Sequence, residues 1–168
     1  MRKVLILGAV FLAIALPAEA GLITLEATID GDQANAGAGT GSLGTGLATM
    51  TFNDVTNQFS WNVVWQDLSA PAIFAHFHGA AMTNQNAAVQ VGIDPASPSI
   101  GSTFIDAGQA ADLLAGLWYV NIHTVLHPGG EIRGQVYVAD VRVPEPGTLA
   151  LLGIGLAGMG LARRRKKV

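Results

Sequence analysis

QFSWNVVW, residues 58–65, alternates bulky apolar side chains with mostly polar ones. On a β-strand Phe59, Trp61, Val63 and Trp65 share one face, because successive side chains point to opposite sides. Aromatic side chains at period two are what sheets bury, so we expect this stripe to form core rather than a ligand platform. The stretch therefore predicts a half-buried strand and a β-sheet fold around it.

More strands and one helix are predicted on either side of this stretch. Residues 106–116 contain good helix formers and end on a glycine, which predicts a short helix. Residues 31–46 are rich in glycine and small side chains and predict a mobile loop. The remaining strands are predicted at 22–30, 47–52, 72–78, 88–93, 117–124 and 131–138. The fold class expected is all-β: an antiparallel β-sandwich, immunoglobulin-like or superoxide-dismutase-like, with one short helix and with apolar helical segments at both ends.

The first twenty residues are typical of a secretory signal peptide. Arg2 and Lys3 precede an apolar run, and Ala18 and Ala20 form the small-residue pattern that signal peptidase cleaves. An N-terminal membrane anchor is the alternative, but the apolar run is short for a bilayer core of about 30 Å. We therefore expect the segment 1–20 to be removed on export.

The C-terminal segment, residues 143–168, combines three features in a fixed order. Pro144, Glu145 and Pro146 interrupt regular structure, residues 148–162 are apolar or small, and residues 163–167 are all cationic. The cations favour retention of this end in the cytoplasm. This order resembles the PEP-CTERM sorting signal. The resemblance implies a transient anchor in the inner membrane of a Gram-negative bacterium and removal of the tail by an exosortase-type membrane protease. A permanent tail anchor is the alternative.

Between these ends lies one domain, residues 21–142, whose charge excludes some functions. It holds ten acidic residues and two arginines, so its formal net charge is −8. A surface this acidic, without lysine, argues against binding nucleic acid by charge. The chain has no cysteine, which excludes disulfides, a thiol nucleophile and cysteine zinc sites.

The four histidines fall in two short stretches of the chain. Alternation places His76 and His78 on one face of a strand, about 7 Å apart at their Cα atoms. His123 lies on another predicted strand, and if the two strands are neighbours, three neutral imidazoles suit zinc or copper. His127, in a turn, is a fourth candidate ligand. The alternative is structural, with the histidines bonded to loop backbone.

Glu131 and Arg133 share a face of the last predicted strand. A planar guanidinium held among carboxylates usually forms paired hydrogen bonds that stabilise the fold, so we expect Arg133 to have a structural role. A substrate-anion site is the alternative. The sequence carries no serine elbow or phosphate loop, so a conventional hydrolase has no support.

Three blocks of this chain resemble the signature blocks of the CHRD domain, named from chordin. They are AHFHG at 75–79, DLLAGLWYVNIHT at 112–124 and PGGEIRGQ at 128–135. The resemblance covers about residues 22–138. The first loop departs from the usual pattern, because residues 31–33 run into a stretch of small residues rather than the common glutamate and prolines. The resemblance implies a secreted domain and supplies no bacterial activity.

The function expected from these features is that of a secreted, exosortase-sorted protein of the envelope or exopolysaccharide. Its final location would be the periplasm, the outer surface or the extracellular matrix. We expect a non-enzymatic binding or structural module with an extracellular polysaccharide or protein as partner. The alternative is a metal-binding protein or dismutase-like metalloenzyme that uses His76, His78 and His123.

Overall fold

The computed structural model describes residues 21–139, and these form nine strands and one α-helix. The predicted signal peptide with Ala18 and Ala20, the sorting motif at 144–146 and both apolar segments lie outside the described residues. Within 21–139, no helix is long and apolar enough to cross a membrane. The elements are β1 (Leu22–Asp30), β2 (Thr45–Asn53), β3 (Gln58–Gln66), β4 (Ala72–His78), β5 (Val89–Ile93), β6 (Ser99–Phe104), α1 (Ala107–Leu114), β7 (Tyr119–Thr124), β8 (Ile132–Gln135) and β9 (Tyr137–Val138).

The strands form one sheet in the order β5-β4-β7-β8-β1-β2-β3-β6, with β9 also paired to β1. All pairs are antiparallel, as expected. The expected division into two sheets of a sandwich is not seen between residues 21 and 139. The sheet is continuous, nearly closed and barrel-like, because β1 pairs with β2 on one side and with β8 and β9 on the other.

The core lies inside this curved sheet and contains the predicted aromatic stripe. Phe59 is fully buried, and Trp61 and Trp65 pack against the core. The Phe59 ring meets those of Phe77 and Trp118 edge to face, with centroids 5.0 and 5.6 Å apart. Such pairs add about 0.5–1.5 kcal/mol each beyond the area they bury. The prediction that the stripe is core is confirmed.

Helix α1 begins within one residue of its predicted start and packs against the core. Asp106 accepts from the backbone N–H of Gln109, and the Gln109 side chain accepts from the backbone N–H of Asp106. This capping box satisfies two N–H groups that an α-helix leaves free at its start. Leu113 is fully buried, so the helix is anchored on the core.

Strand β6 has no counterpart among the predicted strands. Gly101 lies within it, and the Trp61 ring occupies the space a Cβ would need, 2.5 Å from the ring carbon Cζ2. Glycine weakens a strand signal, yet here its missing side chain lets an aromatic ring of β3 lie across β6. Gly101 thus weakens the sequence pattern of β6, yet the packing of the Trp61 ring against β6 requires a glycine at this position.

Candidate metal centre

Pairing of β4 with β7 places three histidines together on one face of the sheet. The register sets His76 opposite Asn121, and Phe74 opposite His123, so His123 is a diagonal neighbour of His76. His78 lies on the same face of β4, two residues further on. One ligand nitrogen from each of His76, His78 and His123 lies within 4.8 Å of the other two. The condition set by the sequence, that the two strands be neighbours, is met.

Two of the imidazoles are oriented by backbone carbonyls. The Nδ1 of His78 donates to the carbonyl of Ala87 at 3.0 Å, and the Nδ1 of His123 donates to the carbonyl of Pro128 at 2.9 Å. A carbonyl only accepts, so both Nδ1 atoms carry the proton and both Nε2 atoms carry a lone pair. Metal-binding histidines are usually held by such a bond from the other ring nitrogen.

The Nε2 atoms of these two histidines differ in their hydrogen bonding. The Nε2 of His78 is buried and has no hydrogen-bond partner. The Nε2 of His123 lies 3.4 Å from the Nδ1 of His76. Two nitrogens bound to one tetrahedral zinc ion at 2.0–2.1 Å are separated by about 3.3–3.4 Å. The His76–His123 separation therefore matches that of two ligands of one ion.

The surroundings favour neutral imidazoles. Burial, followed by the nearby His123, lowers the pKa of His76. Burial also lowers the pKa of His78, and its hydrogen bond to Ala87 only partly opposes this. Neutral imidazole is the form that coordinates a metal, so at neutral pH these two side chains are in the binding-competent state.

Tyr119 and Arg133 support the cluster from behind. The Tyr119 ring stacks on that of His78 with centroids 4.9 Å apart and planes 4° from parallel. The guanidinium carbon of Arg133 lies over the Tyr119 ring, 3.6 Å from the ring centroid, and such a contact is attractive. The Tyr119 hydroxyl accepts from the backbone N–H of Ala87, the same residue whose carbonyl holds His78.

Arg133 holds the loop between β4 and β5, but not through carboxylates as the sequence suggested. It donates to the carbonyls of Met82 and Gln85 and to the side chain of Gln135, at 2.8–3.0 Å. Gln135 donates in turn to the carbonyl of Ala81. Arg133 thus has the expected structural role, but its partners are carbonyls, because the loop that crosses this face of the sheet presents backbone oxygens to the guanidinium.

Glu131 faces a separate set of partners and is fully buried. Its carboxylate accepts from the hydroxyls of Ser42, Ser69 and Thr124 and from the backbone N–H of Ser69, at 2.6–2.9 Å. Burial alone would raise the pKa of Glu131, but these hydrogen bonds outweigh it and hold the pKa below its ordinary value.

The loop before β2 is fixed by the Glu131 cluster rather than free, which differs from the mobile loop expected for residues 31–46. Thr40 donates to the carbonyl of Glu131 at 2.7 Å, and Ser42 donates to its carboxylate. Ala34 in the same loop is fully buried. The small polar residues that suggested mobility are thus the donors that satisfy a buried charge.

His127, the fourth candidate ligand, lies outside the three-histidine cluster. It borders a shallow groove with Thr40, Ser42, Asp67 and Ser69. The structure therefore does not bring His127, the fourth candidate ligand, together with the other three histidines.

Sequence reasoning placed Tyr119 on the same side of its strand as His123 but missed Phe74 as a neighbour of the cluster. The Phe74 ring stacks on that of His76 with centroids 5.9 Å apart, and Phe74 is 58% exposed. The signal for Phe74 is present in the sequence, because it precedes His76 and His78 at period two on the same strand. The contact of Tyr119 with His78 required knowledge of the β4–β7 pairing.

Fold and site together define a small all-β domain that carries three converging imidazoles on one face of its sheet. Residues 25–136 match the protein-family model of the CHRD domain, and residues 142–166 match the PEP-CTERM protein-sorting motif. The chain therefore belongs to the CHRD-domain family, and both resemblances seen in the sequence are confirmed. Neither the curated proteins nor the solved structures gave a match.

Proposed function

We propose that this protein is an exported CHRD-domain module that binds one zinc or copper ion through His76, His78 and His123. The observation that carries the proposal is the buried Nε2 of His78, which has no hydrogen-bond partner and lies among two other imidazoles. An unsatisfied buried polar atom costs about 1–3 kcal/mol. A bound ion would satisfy it.

The donor set supports the choice of metal. Imidazole nitrogens suit zinc and copper, whereas calcium and magnesium require oxygen ligands. The cluster contains three histidines and no carboxylate. The chain has no cysteine, so a thiolate site for softer metal chemistry is excluded.

The sorting motif supports a role outside the cytoplasm. A PEP-CTERM motif implies export and processing by an exosortase, a membrane protease. We propose the order of events as removal of residues 1–20 by signal peptidase, transient anchoring by the C-terminal segment, and exosortase cleavage near Pro144, Glu145 and Pro146. The processed domain then acts in the envelope or the exopolysaccharide matrix, with a polysaccharide or protein as partner.

We propose a binding or structural role rather than catalysis. Residues 21–142 carry a formal net charge of −8, which suits a domain that is held in a matrix and repels other copies. The dismutase-like alternative requires a redox-active ion and turnover. If the copper-loaded wild type removed superoxide faster than the His76→Ala variant does, the non-enzymatic role would be contradicted.

Metal analysis of the purified full chain tests the proposal. After incubation with zinc or copper and washing, we expect one ion per chain in the wild type and loss of that ion in His76→Ala. His127→Ala is the matched control, because it removes a histidine outside the cluster and is expected to keep the ion. Less than about 0.1 ion per wild-type chain would refute metal binding.

A further inference from the structure

Three protein ligands leave a tetrahedral ion one position short. Among residues 21–139, no fourth histidine, aspartate, glutamate or cysteine joins His76, His78 and His123. Sites with three protein ligands keep the fourth position for water or an incoming ligand, whereas purely structural zinc sites are closed by four. A bound ion here would thus have an exchangeable position.

The exchangeable position of a bound ion would lie on the His76 side of the cluster. His78 and His123 are 8% and 9% exposed, whereas His76 is only half-buried. The residue opposite His76 on the edge strand β5 is Gly92, and paired residues of antiparallel strands point to the same face. A Cβ at Gly92 would have the His76 Cδ2 atom, at 3.8 Å, as its single neighbour within 4 Å. Space beside His76 is therefore open.

Local charge favours an anion at this position, although the whole domain is acidic. Three neutral imidazoles leave the charge of the ion uncompensated. Arg133 adds a second positive charge behind His78, and its hydrogen bonds go to carbonyls and an amide rather than to a carboxylate. The carboxylate nearest along the chain, Glu131, is directed at Ser42, Ser69 and Thr124.

We infer that the metal-loaded site binds one small anion of carboxylate type, such as a free carboxylic acid or an acidic group on a larger molecule. The inference rests on the metal binding proposed above. The anion replaces a metal-bound water: one metal–oxygen bond breaks, another forms, and the oxidation state of the ion does not change. Because the surface as a whole repels anions, binding depends on the ion.

Cobalt(II) substitution in the full chain tests this inference, since cobalt reports its ligands through its visible absorption. Acetate and azide are the probes. We expect each to shift the bands of the cobalt-loaded protein and to saturate at one anion per ion, and we expect no anion binding to the metal-free protein. Bound cobalt with a spectrum unchanged up to about 100 mM anion, well above a millimolar Kd, would overturn the inference and leave metal binding intact. No bound cobalt, zinc or copper would instead refute the proposed function, and this inference with it.

Gly92→Leu locates the anion without removing a ligand. The leucine side chain would fill the space beside His76, so we expect cobalt to remain bound and the Kd for acetate to rise on the order of tenfold, equivalent to about 1.4 kcal/mol. His127→Ala is expected to keep the wild-type Kd. An unchanged Kd in Gly92→Leu would place the anion elsewhere and would overturn the inference.

Discussion

Replacing His76 by alanine separates a metal ligand from a structural histidine more cleanly than any other single change in the cluster. His78 and His123 each hold a loop carbonyl, at Ala87 and Pro128, whereas the hydrogen bond of His76 goes to His123. The sequence had suggested loop backbone as the partner of His76. Its removal leaves no backbone group unsatisfied, so in the absence of metal we expect His76→Ala to cost less than about 1 kcal/mol.

With metal present, the effect of the same change is expected to be much larger. Free zinc at a hundred times its Kd stabilises a native state by about 2.7 kcal/mol. For a domain of this size, 1 kcal/mol moves the Tm by about 4 °C, so zinc is expected to raise the wild-type Tm by about 10 °C. Loss of one of three ligands lowers the affinity by orders of magnitude, so His76→Ala should keep at most about 2 °C of that rise.

Thermal unfolding followed by circular dichroism measures the Tm of wild type and of His76→Ala, each with and without zinc. His127→Ala is the matched control and should show the full zinc-dependent rise. An equal rise in wild type and His76→Ala would refute the reasoning, because zinc would then be bound at another site. No zinc-dependent rise in the wild type, together with a lower Tm in His76→Ala, would show that the histidine is structural.

Further predictions concern the hydrogen bond from His78 to the Ala87 carbonyl, the buried carboxylate of Glu131, the pH dependence of stability and the C-terminal segment. His78→Ala should cost about 1–3 kcal/mol in urea unfolding even without metal, because the carbonyl of Ala87 loses its donor. Glu131→Gln should cost about 2–4 kcal/mol in the same assay, because an amide cannot accept all four hydrogen bonds of the carboxylate. The metal-free protein should lose stability as the pH falls below 6.5, because folding lowers the pKa values of His76 and His78 and the unfolded state then binds more protons. A second loss of stability should begin below pH 4.5, because folding lowers the pKa of Glu131 and the unfolded chain again binds more protons. Urea unfolding at a series of pH values measures both losses. Intact-mass measurement on protein from its native host should show a species without residues 163–168, and a mature species that retains them would favour the permanent tail anchor.

All strands except β6, and the histidine pair, were accessible to sequence reasoning because each rests on a local pattern. Period-two alternation predicted β1 at its observed bounds and placed His76 and His78 on one face. The helix formers within residues 106–116 and the terminal Gly116 predicted the helix to within a few residues. Such features depend only on residues that are close in the chain.

The strand order and the partners of the buried charges were not accessible in the same way. That β4 pairs with β7, and so brings His123 to His76, is a choice among many pairings that alternation allows equally. The single continuous sheet depends on β1 meeting β8 and β9, far away in the sequence. Arg133 binds backbone carbonyls, and a carbonyl is present at every position, so no residue type reveals it.

The central claim is that one metal ion lies between His76, His78 and His123. Anomalous X-ray scattering at the zinc edge, measured on crystals of the protein grown with zinc, tests it most directly. The expected result is one strong peak about 2.0–2.1 Å from a nitrogen of each of the three imidazoles. Absence of a peak there, or a peak only beside His127, would contradict the claim.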